Sequence, residues 1–476
     1  MSPLNRRDFL WLTAGGLAGM STGCRSARAE SNPPPNFLII LADDLGAKEL
    51  GCYGGTGYKT HHLDQLAAAG VKFETCYATP LCHPTRLMMM TGQYGCHNGV
   101  YNFAGRRGGP DPNSPAEDMT THFTFANLLK QQGYATALSG KWQLSGKLPT
   151  LIRECAFDEY CIWAYEHNLP EGVKHTGGYE NDKKPARYWH PSILKNGEYM
   201  PTKPEEYGPD IHVDFLLDFM KRNKEHPFLA YHTMCLTHAP HMPTPDSIKP
   251  GEDRFRSGAQ NFKACVEYVD KLIGRLVKGL DDLGLRENTI ILFTTDNGTG
   301  GDGKGDPTEL GARVPLIINA PKLVKARGSS MELTDLSDVL PTLAEFAHAP
   351  LPKDRVIDGH SLVPYLHGGS EHTRDWIHSY LGDRRILRTN RWLLEDNSPH
   401  HFGRLYDCGD SRNGVGYKEV ADSTEPEVLA VKEQFNALLK NLPAPILEND
   451  GDISEKKSGR VFKRQQKKNQ SATPGE

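Results

Sequence analysis

Four stretches constrain the fold of this chain more than any other feature. "NFLIILA" (Asn36–Ala42) is apolar almost throughout, and "YATALSG", "FLAYHTMCL" and "TIILFTTD" are similar. A strand with no polar face cannot turn one side to water, so such runs belong to sheets covered on both faces. Helical patterns stand between them. "LDQLAAAGV" reads as a short helix closed by Gly70, and "FTFANLLKQQGYATALSG" as helix, glycine stop and strand. Phe262, Val266, Val269, Ile273, Leu276 and Leu280 recur at helical spacing before Gly284. The alternation predicts an α/β fold: a large, mostly parallel sheet sandwiched by helices.

A stretch rich in Pro, Gly, Lys and Tyr, from Leu169 to Pro209, interrupts this pattern as a long insertion. It is either a wall of a substrate cleft or a passive surface loop. Beyond His367, "WIHSYL", "RILRTN" and "RWLLED" predict short antiparallel strands, with "EPEVLAVKEQFNALLKNL" as a helix packed on them. The predicted organisation is an export signal over 1–29, a catalytic α/β domain over 36–367, a small C-terminal subdomain over 368–450 and a disordered basic tail over 451–476.

The amino terminus carries Arg6 and Arg7, then the short apolar run "LWLTAGGLAGM" and a small-residue "ARA" at Ala27–Ala29. A charged start, a short apolar middle and an A-x-A end describe a cleaved signal. The paired arginines point to twin-arginine export machinery as a partner. Cys24 offers lipidation as an alternative. No later segment has eighteen consecutive apolar residues, so the expected location is periplasmic or secreted. The net charge of −4 argues against a nucleic-acid partner. Of ten cysteines, those other than Cys24 and Cys82 suffice for disulfides in an oxidising compartment, and none shows C-x-x-C spacing.

Ligands of doubly wound sheets bind beyond the carboxyl ends of the strands. Here those ends carry Asp43 and Asp44, Lys141, His238 through a loop, and Asp296 with Asn297. Each alone reads as a turn, a cap or a solvated side chain. Together they bring hard oxygen donors to one edge, which suits Ca²⁺ or Mg²⁺ better than zinc. In "TPLCHPTRLMMMTG", Pro84 fits the first turn of a helix, placing Cys82 at its N-terminus with Arg86 one turn on.

These residues carry a resemblance. Cys82, Pro84, Arg86, Thr91 and Gly92 form C-x-P-x-R followed by T-G, and "ADDLG", "GKWQL", "THAPHMP", "TTDNG" and "GKGDPTELGARVP" follow in order. The chain resembles the type I sulfatases of the alkaline phosphatase superfamily over about Asn36–Pro321, and more loosely through "GRLYDCGD". The resemblance implies that a formylglycine-generating enzyme oxidises Cys82 to formylglycine. One hydroxyl of the hydrated aldehyde attacks sulfur and the other then expels sulfate. A plain cysteine or serine would stay trapped as its ester. It further implies Ca²⁺, in preference to Mg²⁺, held by Asp43, Asp44, Asp296, Asn297 and the modified Cys82. Arg86 would hold the hydrate, Lys141 and Lys304 would grip the sulfate, and His238 would protonate the departing alkoxide. The implied substrate is a sulfated carbohydrate or another small sulfate ester.

Gln143 stands where the family commonly has a histidine, and an amide cannot exchange a proton near neutral pH. His83 is a candidate replacement base if it does not simply face outward. Leu310 replaces a usual glycine. Two other functions fit the same residues: a phosphate or phosphonate ester hydrolase on this scaffold, and a catalytically silent protein that binds sulfated glycans.

Overall fold

A computed structural model describes residues 33–144, 150–164, 172, 174–180, 184–370 and 374–447. The export signal, the basic tail and part of the insertion lie outside the described residues. The chain builds strands β1 (Asn36–Ala42), β2 (Val71–Tyr77), β3 (Ala135–Gly140), β4 (Glu159–Trp163), β5 (Tyr179–Glu180) and β6 (Lys184–Pro185). Then come β7 (Ile193–Lys195), β8 (Glu198–Met200), β9 (Phe228–Thr233), β10 (Thr289–Thr295), β11 (Arg313–Asn319) and β12 (Gly328–Asp335). A last group comprises β13 (Trp376–Leu381), β14 (Arg384–Thr389), β15 (Trp392–Asn397), β16 (Arg404–Asp407) and β17 (Lys418–Glu419).

Ten strands form the large sheet in the order β12-β2-β11-β10-β1-β9-β3-β4-β7-β8. The centre, β10-β1-β9-β3-β4, is entirely parallel, while β11 and β7 run against their neighbours. The predicted sheet is therefore present, with antiparallel strands on both sides of its parallel centre. β1 shows why its sequence lacks a polar face. Phe37, Ile39 and Leu41 point into one apolar layer, and Leu38, Ile40 and Ala42 into the other. The first layer contains Met88, Leu128 and Leu343 from three helices, and the second contains Val213, Val269 and Ile273.

The insertion contributes structure of its own. Its β7–β8 hairpin extends the large sheet, and the chain then enters a helix over Gly208–Arg222. β13 to β17 form the small antiparallel sheet. Leu387, Leu394 and Leu405 of that sheet share an apolar cluster with Val431, Phe435 and Leu439 of the Pro426–Lys440 helix. Nine cysteines, all those described, are free thiols. The disulfides that the cysteine count allows are absent among the described residues: most of these cysteines are buried and act as small apolar side chains.

Candidate active site

The parallel centre of the sheet delivers its strand ends to one place. β1 runs into Asp43 and Asp44; Asp44 takes φ 60°, a region that Asp tolerates better than most residues. Thr237 Oγ1 fixes this turn by donating to the carbonyls of Asp43 (3.0 Å) and Asp44 (3.2 Å). β10 delivers Asp296 and Asn297, and Asp44 N–H donates to Asp296 Oδ1 at 3.1 Å. β3 ends in Gly140, whose φ of 105° and close approach to Thr233 exclude a side chain: an added Cβ would lie 1.8 Å from the Thr233 carbonyl oxygen. That approach swings Lys141 into the site, where Nζ donates to Asp43 Oδ2 at 2.5 Å.

Cys82 opens a helix that runs to Thr91, as the Pro84 position predicts. No side chain caps this end, so first-turn N–H groups are left for the site. Thr79 secures the approach, its N–H donating to Thr85 Oγ1 at 2.9 Å and its hydroxyl to the Leu81 carbonyl at 2.8 Å. Arg86 is fully enclosed, donating to Asp296 Oδ2 at 2.7 Å and to the Lys141 carbonyl at 3.2 Å. Lys304 Nζ reaches Asp44 Oδ1 at 2.6 Å, and His238 Nε2 lies 3.8 Å from Asp44 Oδ2. Cys82 and Lys141 form the floor, whereas the side chains of His238 (25% exposed) and Lys304 (20% exposed) stand at the mouth.

The electrostatics are those of crowded, dry carboxylates. Burial alone would raise Asp43, but Lys141, His238, Arg86 and Lys304 hold it well below the usual carboxylate range. Burial and the Asp43 charge raise Asp44, and the same two causes push Asp296 up to about 7. Burial pushes the Cys82 thiol up to about 12, despite Lys141. As a thiol it is protonated at neutral pH and a poor nucleophile.

Asp43, Cys82 and Asp296 each offer a ligand atom within 4.8 Å of one another, as do Asp43, Asp44 and His238. Asp43 Oδ1 and Asn297 Oδ1 are buried with no hydrogen-bond partner among the described residues. Asn297 spends its amide N–H on Asp44 Oδ1 at 2.9 Å, which leaves its oxygen as the available donor. Orphaned oxygens amid three carboxylates fit a hard divalent cation. The structure thus gathers Asp43, Asp44, Cys82, Arg86, Lys141, His238, Asp296, Asn297 and Lys304 into one cluster.

Gln143 follows Lys141 with φ 48°, and its Oε1 is buried without a partner. His83 does not face outward. Its Nδ1 lies 3.1 Å from the Gln143 carbonyl oxygen, its Nε2 lies 3.3 Å from Glu117 Oε2, and its ring packs against Phe103. Held on both nitrogens, it is poorly placed to serve as a mobile base. Leu310 is half-buried in the short turn Glu309–Ala312.

Arg187, from the insertion, was not legible as a site residue. NH1 sits 3.0 Å from His238 Nδ1, and the guanidinium lies over the Trp163 ring at 4.4 Å. Its local sequence, "KKPARYWHP", has no spacing that marks an active-site residue.

Comparison with known proteins follows the geometry. A family model described as Sulfatase matches residues 35–349. The chain is similar to the steryl-sulfatase of Mus musculus, with 31% identity over 82% of this chain and 74% of the relative. It is 32% identical to the N-acetylgalactosamine-6-sulfatase of Homo sapiens, over 81% of this chain and 74% of that one. A protein solved in complex with its substrate D-glucosamine-2-N,6-O-disulfate has the same fold. Its TM-score is 0.65 at 22% identity, covering 86% of this chain and 97% of the other. The chain belongs to the sulfatase family, the enzymes that hydrolyse sulfuric esters.

Proposed function

We propose that this sulfatase removes sulfate from sulfated carbohydrate, using a formylglycine made from Cys82 and a Ca²⁺ ion held by Asp43, Asp44, Asp296, Asn297 and the modified Cys82. The observation that carries the proposal is the pair of orphaned oxygens, Asp43 Oδ1 and Asn297 Oδ1, in a pocket where Cys82 heads a helix. When bound, the ion supplies positive charge that offsets three neighbouring carboxylates and the oxygens of the ester. Formylglycine supplies a hydrated aldehyde, whose second hydroxyl permits turnover.

The protein's own residues do the rest. Arg86, fixed by Asp296 and the Lys141 carbonyl, orients the residue at position 82. Lys141 and Lys304 present ammonium groups on two sides of the cluster, where an ester sulfate's charge develops. His238 stands at the mouth, on the side from which an alcohol departs. Nδ1 is held by Arg187 NH1 at 3.0 Å and the Ala239 carbonyl at 2.5 Å, which fixes the ring with Nε2 facing the site. Gln143 offers an amide to the ester in place of an imidazole.

The preference for a carbohydrate rests on the solved relative bound to a sulfated sugar. Export by the twin-arginine route to the periplasm or beyond, with modification by a formylglycine-generating enzyme, belongs to the same reading. No helix among the described residues is long and apolar enough to cross a membrane. Paired sulfate and phosphate esters of nitrophenol, with a sulfated disaccharide, test the proposal. Sulfate release from the aryl ester and the disaccharide, lost in Cys82→Ala, is expected. Faster phosphate than sulfate release would instead assign a phosphate ester hydrolase, and binding without release a silent glycan binder.

A further inference from the structure

A second cavity, of about 540 Å³, lies on the small sheet, between the turn after β15 and the Pro426–Lys440 helix. It is a shallow depression, largely open to solvent. Arg385, Asn397, Ser398, Phe402, Asn436 and Lys440 are among its lining residues, and no acidic side chain lines it. Arg385 is 8% exposed. NH1 donates to the carbonyls of Leu439 (3.2 Å) and Leu442 (3.1 Å), while Nε has no partner. Among the described residues no carboxylate pairs with it. The nearby Asp383 is instead approached by Arg107 at 3.5 Å and Arg384 at 3.7 Å. A buried guanidinium hydrogen-bonded only to neutral carbonyls, with Asp383 acting on it from beyond ion-pair distance, is costly unless an anion completes it.

We propose that this cavity binds an acidic sugar unit, carrying a carboxylate or a sulfate, of the polymer whose ester occupies the catalytic site. This rests on the carbohydrate reading above. The chemistry of the lining matches such a unit. Arg385 and Lys440 supply charge, the exposed Asn436 supplies an amide for sugar hydroxyls, and the exposed Phe402 ring supplies an apolar face. The strand that leads into the cavity is tethered to the catalytic side of the molecule. Asp396 N–H, beside Asn397, donates to the Pro307 carbonyl at 3.0 Å, and Glu309 N–H donates to Glu395 Oε1 at 2.6 Å. These bonds tie the turn after β15 to the segment that carries Lys304.

Calorimetry with hexagalacturonate, a sulfated carrageenan hexasaccharide and uncharged maltohexaose tests this on full-length Cys82→Ala protein, which cannot turn over. Both acidic hexasaccharides are expected to bind, with affinity reduced about tenfold or more by Lys440→Glu or Arg385→Gln, and maltohexaose is not. In the active enzyme, Lys440→Glu should raise KM for the sulfated hexasaccharide and leave hydrolysis of nitrophenyl sulfate unchanged. Lys440 is exposed, so its variant keeps the test valid if Arg385→Gln fails to fold. Equal hexagalacturonate affinity in the parent and Lys440→Glu proteins overturns the proposal, as does binding of maltohexaose as tight as that of the acids. Hexagalacturonate is not a sulfate ester, so its discrimination stands or falls apart from whether the enzyme releases sulfate.

Discussion

Arg187 NH1 lies 3.0 Å from Nδ1 of His238, and it joins an insertion to the mouth of the site. With the Ala239 carbonyl, 2.5 Å from the same nitrogen, the contact fixes the ring so that Nε2 faces the site. Protonation matters for a sugar alkoxide and little for nitrophenolate, which leaves unaided. Arg187→Met should therefore lower kcat about 10- to 100-fold on a sugar sulfate and less than about threefold on nitrophenyl sulfate. Steady-state kinetics on the two esters measure the ratio, and equal losses would show that Arg187 only supports the fold.

Ca²⁺ should stabilise the protein through the carboxylate cluster. At a hundredfold excess over its dissociation constant, binding adds about 2.7 kcal/mol. That corresponds to roughly 3 °C in Tm for a chain of this length. A thermal melt with Ca²⁺ and with a chelator reads the shift, which should vanish in Asp44→Asn, while the chelator abolishes sulfate release. A Tm indifferent to Ca²⁺ in the parent enzyme would remove the ion from the account.

Gln143 occupies a left-handed conformation with an unpartnered side-chain oxygen. Histidine tolerates that backbone region, so Gln143→His should fold normally. If the family's usual imidazole limits turnover here, kcat rises about tenfold. Unchanged or lower kcat in a stable variant would mean that this chain moves the proton by another route.

His378 is buried without hydrogen-bond partners between Tyr94 and Tyr380, and burial depresses it to about 3. The unfolded chain takes up a proton as pH falls below about 6.5, and the folded chain refuses it. Its contribution is thus complete above that pH and is lost progressively below it, at up to about 1.4 kcal/mol per pH unit. Urea unfolding of His378→Phe at pH 7 and pH 5 should show a correspondingly flatter dependence than the parent protein. Parallel pH profiles would show that His378 titrates normally in the fold.

The strands that carry the site were legible because their burial on both faces removes Asp, Glu, Lys and Arg until the strand end. At those ends Asp43, Asp44, Asp296 and Asn297 stand out against apolar neighbours. Cys82 and Arg86 were legible through helix chemistry and motif together. β11 was not, since "RVPLIIN" looks the same whichever way it runs, and direction is set by connections rather than composition. Arg187 and the His83–Glu117 contact were hidden for a related reason. Their partners lie 51 and 34 positions away in the chain, and neither sits in a periodic segment. The cysteine count left pairing open because a count cannot distinguish pairing from burial.

Mass spectrometry of the peptide containing Cys82, taken from enzyme whose sulfate release has been measured, tests the central claim most directly. The account predicts an aldehyde residue at position 82 in proportion to specific activity. An intact thiol at position 82 in fully active enzyme would contradict it.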